Sequence, residues 1–113
     1  MKIEVLEREE NVILKLDGNI TGIPDETEFN SLIKKYISEK KTNIIVDLGS
    51  ISYINSTGLG MILRGYITIK NAGGSFKLAS LNSKLRKLLE ITKLNTIIEI
   101  HDSMESALDE YSK

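Results

Sequence analysis

Asp47-Leu48-Gly49-Ser50-Ile51-Ser52-Tyr53-Ile54-Asn55-Ser56-Thr57-Gly58-Leu59-Gly60 is the stretch on which the fold turns. Just before and into it, Asn43-Ile44-Ile45-Val46-Asp47-Leu48 is short, continuously apolar and β-branched at its centre, which predicts a central strand covered on both faces. Asp47 is read as the end of that strand, placed to orient the loop. Leu59, Ile62, Leu63, Tyr66 and Ile69 are then spaced like one side of an amphipathic helix. Asn55, Ser56, Thr57 and Gly58 lie between, and such short polar residues favour helix starts and tight turns. A helix N-terminus carries unpaired N–H groups and partial positive charge, so a negative charge added there is tolerated. A phosphate on Ser56 would therefore spare the fold and change its exterior.

Upstream, Ile3–Glu7 and Val12–Leu16 are strand-like runs joined by the polar Arg8-Glu9-Glu10-Asn11, which predicts a hairpin. Asp17-Gly18-Asn19 is expected to turn. Gly22-Ile23-Pro24-Asp25-Glu26 then combines an early proline with acids at the positive helix end. Phe29, Leu32, Ile33, Tyr36 and Ile37 come next with helical spacing, and Lys34, Lys35, Lys40 and Lys41 gather where they complement the dipole. Downstream of the central helix, Asn71-Ala72-Gly73-Gly74 reads as a cap and Ser75–Ser80 as a strand. Asn82 and Ser83 suit the start of a third helix carrying Leu85, Leu88 and Leu89. Ile97–Ile100 is a short strand, and Asp102 or Ser103 caps a last helix with Met104, Ala107, Leu108 and Tyr111. The order is ββαβαβαβα, an α/β fold in one domain over residues 1–113. Helices between successive strands impose parallel pairing with right-handed crossovers, giving a mixed β-sheet with helices packed on it.

Composition narrows the chemistry. The 113 residues suffice to bury about two-thirds of the surface exposed by the unfolded chain. With 15 Lys and Arg against 16 Asp and Glu, no net field favours nucleic acid or an anionic membrane. The absence of cysteine and the single His101 disfavour disulfides, thiolate metal sites and His-rich centres. The first residues mix charge into apolar positions, unlike a signal peptide, and no apolar run approaches the ~18 residues of a membrane span, so a soluble, cytoplasmic protein is expected.

Catalytic motifs are incomplete. Gly58-Leu59-Gly60 lacks the third glycine of a dinucleotide fingerprint, where Leu63 stands, and the lysine of a phosphate loop. Ser56 is outside a Gly-x-Ser-x-Gly elbow, and His101 falls after the last predicted strand as a loop or cap residue. Lys84, Arg86 and Lys87 read as a solvated helix face. A binding protein, not an enzyme, with no cofactor of its own is expected.

The element order, Asp47-Leu48 and Asn55-Ser56-Thr57-Gly58-Leu59-Gly60 together resemble the STAS domain, named for sulfate transporters and anti-sigma factor antagonists, over essentially the whole chain. Bacterial antagonists of that family carry a similar loop, often Asp-Ser-Ser-Gly or Asp-Ser-Thr-Gly followed by Leu-Gly or Ile-Gly. Its first hydroxyl residue is phosphorylated by a kinase that is also the anti-sigma factor. The resemblance implies Ser56 as phosphoacceptor, flanked by Asn55, Thr57 and Gly58. It also implies an anti-sigma factor serine kinase that supplies ATP and Mg²⁺, a phosphatase that reverses the modification, and transcription regulated by partner switching. Two positions depart from the pattern. Asn55 replaces the usual Asp with an amide of similar size that accepts hydrogen bonds without charge. Gly18-Asn19-Ile20-Thr21 replaces a more acidic Gly-Glu-Leu-Asp type of sequence.

With Leu59, Ile62, Leu63, Tyr66 and Ile69 inward, Met61, Arg64, Gly65 and Thr68 are expected outward, and Met61 and Arg64 join Ser56 on the partner-binding surface. Phosphate adds about −1.5 to −2 charges there, and a loss of about 1.4 kcal/mol already weakens binding tenfold. Two other readings of the same loop are a constitutive STAS interaction or scaffold module with unmodified Ser56, and a small-ligand or nucleotide sensor using the helix N-terminus.

Overall fold

A computed structural model of the protein describes residues 1–20 and 22–111, without the side chains of residues 23 and 109–111. Thr21 and the expected apolar contact of Tyr111 lie outside what is described.

The chain opens with the expected hairpin, β1 (Lys2–Arg8) antiparallel to β2 (Asn11–Ile20), with Arg8 opposite Asn11 across a turn in which Glu9 is left-handed at φ 58°. The predicted turn at Asp17-Gly18-Asn19 is instead bulged strand. Register with the neighbouring strand β3 (Asn43–Ile54) slips between Lys15 and Asp17 and again between Gly18 and Asn19, and Gly18 at φ +99° supplies a backbone that L side chains resist.

β3 spans Asn43–Ile54, longer than its apolar run. Residues 43–47 lie between β2 and β4 (Ser75–Ala79), parallel to both, and Ile44, Ile45 and Val46 are completely buried. Beyond Asp47 the strand pairs with β2 alone. Asp47 therefore marks where β4 departs and does not end the strand; its Oδ1 accepts a hydrogen bond from Gly49 N at 2.9 Å. In this half the buried residues Leu48, Ile51 and Ile54 recur every third position, because bulges break the alternation on which a strand is recognised.

The sheet order is β1-β2-β3-β4-β5. β5 (Glu99–His101) starts two residues later than predicted, after a 3₁₀ turn at Leu94–Thr96, and it contains His101, which is a strand residue and not a loop or cap. Helices α1 (Ile23–Ser38), α2 (Ser56–Asn71) and α3 (Ser83–Ile91) pack on the sheet face that carries Val12, Leu14, Ile44, Val46, Phe76 and Leu78. Phe29, Ile33 and Tyr36 of α1 are buried there, with Leu32 and Ile37 against the edge of the core, as their spacing predicts. The opposite face is smaller: α4 (Met104–Tyr111) sets Ala107 against Ile13, Ile45 and Ala79, and Ser103 Oγ accepts from Ser106 N at 3.1 Å to cap it. This is the expected α/β mixed sheet, in the expected element order.

Candidate functional site

The head of α2 is clamped to the ends of β2 and β3. Asn55 is extended (φ −102°, ψ −172°) and its Oδ1 accepts from Gly58 N at 3.0 Å, an N-cap that satisfies one orphan donor of the first turn. Its backbone N–H donates to Ile20 O at 3.3 Å. Gly58 allows the close approach: a Cβ there would fall 2.5 Å from Ile54 Cγ1 and 2.8 Å from Ile20 O. With Asn55 and Gly58 turned inward, Ser56, the first residue of α2, is exposed, and Thr57 is half-buried.

The rest of α2 is rotated from the expected orientation. Its buried residues are Gly58, Met61, Ile62, Gly65 and Ile69, while Leu59, Leu63 and Tyr66 are half-buried. Met61 is 2% exposed, so the outward placement expected of it is corrected: its side chain belongs to the core and is not available to a partner. Gly65 is buried for the same reason, since a Cβ there would lie 2.7 Å from Phe29 Cε2. Apolar spacing weighs leucines and ignores glycines, yet the glycine side of a helix approaches its neighbours most closely. Arg64 is exposed as expected and forms an ion pair with Glu26 of α1.

Beside Ser56 runs a groove of about 660 Å³ between the end of β3, the head of α2 and α3. The start of α3 is held much like that of α2: Asn82 Oδ1 accepts from Leu85 N at 2.8 Å, and Asn82 Nδ2 donates to Ile51 O of β3 at 3.2 Å. Lys84, Lys87, Leu88 and Ile91 form one helical stripe along the groove, facing Tyr53, Ser56 and Leu59. Tyr53 is 48% exposed and Ile91 69%, and Lys84 Nζ sits 5.9 Å from the centre of the Tyr53 ring. The basic trio of α3 is thus divided. Arg86 pairs with Asp102 at 2.5 Å, whereas Lys84 and Lys87 line the groove. Sequence reasoning missed Tyr53 and Ile91; the available signal was the 84-87-88-91 spacing, one residue off the stripe of Leu85 and Leu89 that fills the core.

An ionic cluster occupies the far sheet face. Lys77, 5% exposed, meets Glu99 at 3.0 Å; His101 Nε2 lies 2.7 Å from the same carboxylate oxygen and Nδ1 lies 2.8 Å from Ser106 Oγ of α4. The hydrogen bond with His101, followed by that with Lys77, holds the Glu99 carboxyl below the usual range. The cluster ties β4, β5 and α4 together, away from Ser56.

The geometry is that of a five-stranded mixed sheet whose second helix starts at an exposed serine directly after an asparagine cap. The chain belongs to the STAS domain family, whose pattern matches residues 2–107. It is 28% identical over 108 residues to the anti-sigma-B factor antagonist of Bacillus subtilis, covering 96% of this chain and 97% of that protein. The crystal structure of TM1081 from Thermotoga maritima superimposes with a TM-score of 0.89 at 25% identity, over 98% of this chain and 95% of that one. The fold is also that of the Bacillus cell-fate determinant SpoIIAA in its phosphorylated form, with a TM-score of 0.76 at 20% identity, over 97% and 99% of the two chains. Among the described residues no helix is long and apolar enough to cross a membrane.

Proposed function

We propose that the protein is a cytoplasmic anti-sigma factor antagonist switched by phosphorylation of Ser56. The observation that carries this reading is the exposure of Ser56 at the first position of α2, directly after an Asn55 cap that does not use the serine hydroxyl. A kinase can approach that oxygen without unfolding the helix. Unmodified, the head of α2, with Arg64 one face further along, docks on an anti-sigma factor kinase and releases the captive sigma factor. ATP and Mg²⁺ come with the kinase, and a phosphatase restores the serine. The phosphate places a dianion in the contact, where incomplete compensation of its desolvation weakens binding by tenfold or more.

Asn55 supports the same geometry as the aspartate more common in relatives, because the amide oxygen accepts the same capping bond from Gly58. The test is incubation with the partner kinase and ATP, followed by mass spectrometry of wild type and Ser56→Ala. The expected outcome is one phosphate on Ser56 in wild type and none in the variant, with kinase binding kept by the variant and lowered at least tenfold in the phosphoprotein. Equal phosphate in both proteins would reject Ser56 as acceptor.

A further inference from the structure

We propose that a phosphate on Ser56 is received within the same molecule by Lys84 and Lys87 of α3, so that the modification bridges the two sides of the groove. This deepens, and rests on, the reading of Ser56 as the switch residue.

The groove is lined by Ser52, Tyr53, Asn55 and Ser56 on one side and by Lys84 and Lys87 on the other, above an apolar floor, and among the described residues its lining contains no carboxylate. Among the described residues neither lysine has an acidic partner, although Arg86 between them does. Two unneutralised ammonium groups beside one exposed hydroxyl form a site whose charge is completed by an anion on that hydroxyl. Lys84 Nζ lies over the ring of Tyr53, three residues before Ser56 in the chain. Lysine suits the task, since its stem lies along apolar surface while the ammonium reaches outward as a mobile point charge. The start of α2 contributes its own partial positive charge, so the phosphate gains on both sides. Phosphorylation would then do more than add exposed charge. It would draw α3 toward α2 and cover the Tyr53, Leu88 and Ile91 surface available in the unmodified protein.

The test installs phosphoserine at position 56 by genetic encoding, independent of any kinase, and follows the second ionisation of the phosphate by ³¹P NMR across pH. Phosphorylated wild type is expected to titrate at lower pH than phosphorylated Lys84→Gln/Lys87→Gln, by about half a unit or more, because nearby ammonium groups favour the dianion. The helix N-terminus acts equally in both proteins and cancels. Phosphorylated Arg86→Gln, which removes the same type of charge from the same helix outside the groove, is expected to titrate within about 0.1 unit of wild type. Coincident curves for wild type and the double variant would overturn the proposal, as would an equal shift in Arg86→Gln. All the substituted positions are on the surface, and circular dichroism of the unphosphorylated proteins checks that they fold. Failure of the kinase to modify Ser56 would reject the switch reading and leave this measurement unaffected.

Discussion

The first turns of α2 and α3 begin alike and end in opposite arrangements. Each is capped by an asparagine whose side chain accepts from the backbone N–H three residues on, Gly58 in α2 and Leu85 in α3. At that shared position one helix has no side chain and the other has a buried leucine. Gly58 lets α2 descend until a Cβ would strike Ile54 and the Ile20 carbonyl, whereas the buried Leu85 side chain fills the corresponding space under α3. The groove beside Ser56 lies between these two starts. The same cap thus starts both helices, and the third residue after it differs: absent as a side chain under α2, buried under α3.

The sharpest break of this comparison exchanges the two environments at that position. Leu85→Ala removes a buried side chain and is expected to cost about 2–5 kcal/mol by urea denaturation, while Gly58→Ala forces a methyl into a filled site and is expected to cost about 1–3 kcal/mol. Gly58→Ala should also move α2 off β3, read as new amide shifts at Ile54 and Asn55. A neutral or stabilising Gly58→Ala, the ordinary result for glycine in a helix, would show that the close approach does not govern the site.

Next in size are the caps. Asn55→Ala and Asn82→Ala are each expected to lower stability by about 1 kcal/mol, through loss of one charge-free acceptor at an orphan N–H. Asn55→Asp is expected to remain within about 0.5 kcal/mol of wild type at pH 7, since a carboxylate accepts the same bond and is favoured by the helix dipole. A large loss on Asn55→Asp would mean that the amide has a role beyond the cap.

The smallest effect lies outside both helix starts and tests that the others are local. The Glu99 carboxyl is held below its ordinary value of 4.5 in the folded protein. Its contribution is therefore present above the unfolded-state pKa and is lost as pH falls through the lower, folded one. Glu99→Gln is expected to flatten the decline of stability below about pH 4.5, only modestly because the carboxylate is half-exposed. Titration of stability against pH for the two proteins reads this directly; identical acid limbs would remove Glu99 from the cluster that secures α4.

Most of the element order was legible because it rests on local signals: the apolar run at 44–46, the helical spacing of Phe29, Ile33 and Tyr36, and the asparagines at 55 and 82. The exposure of Ser56 was legible for the same reason, since it comes from a place directly after a cap. The second half of β3 and the tail of β2 were not, since a bulged strand with glycine and serine at irregular intervals has no alternation to detect. Met61 departs from its expected outward placement because side-chain periodicity gives glycine no weight, and the glycine side of α2 is the buried one. The groove joins residues of β3, α2 and α3, so no single segment announces it.

By itself, then, the sequence determined the alternation of strands and helices, the caps, and a serine presented at a helix start, because each is set by neighbours within a few residues. Only the tertiary structure decided which side of α2 faces the sheet and which of the α3 cations have no carboxylate partner among the described residues. It also decided that Lys84 and Lys87 stand across a groove from Ser56. Those outcomes depend on how closely two backbones approach, and that distance is fixed by which side chains are absent as much as by those present.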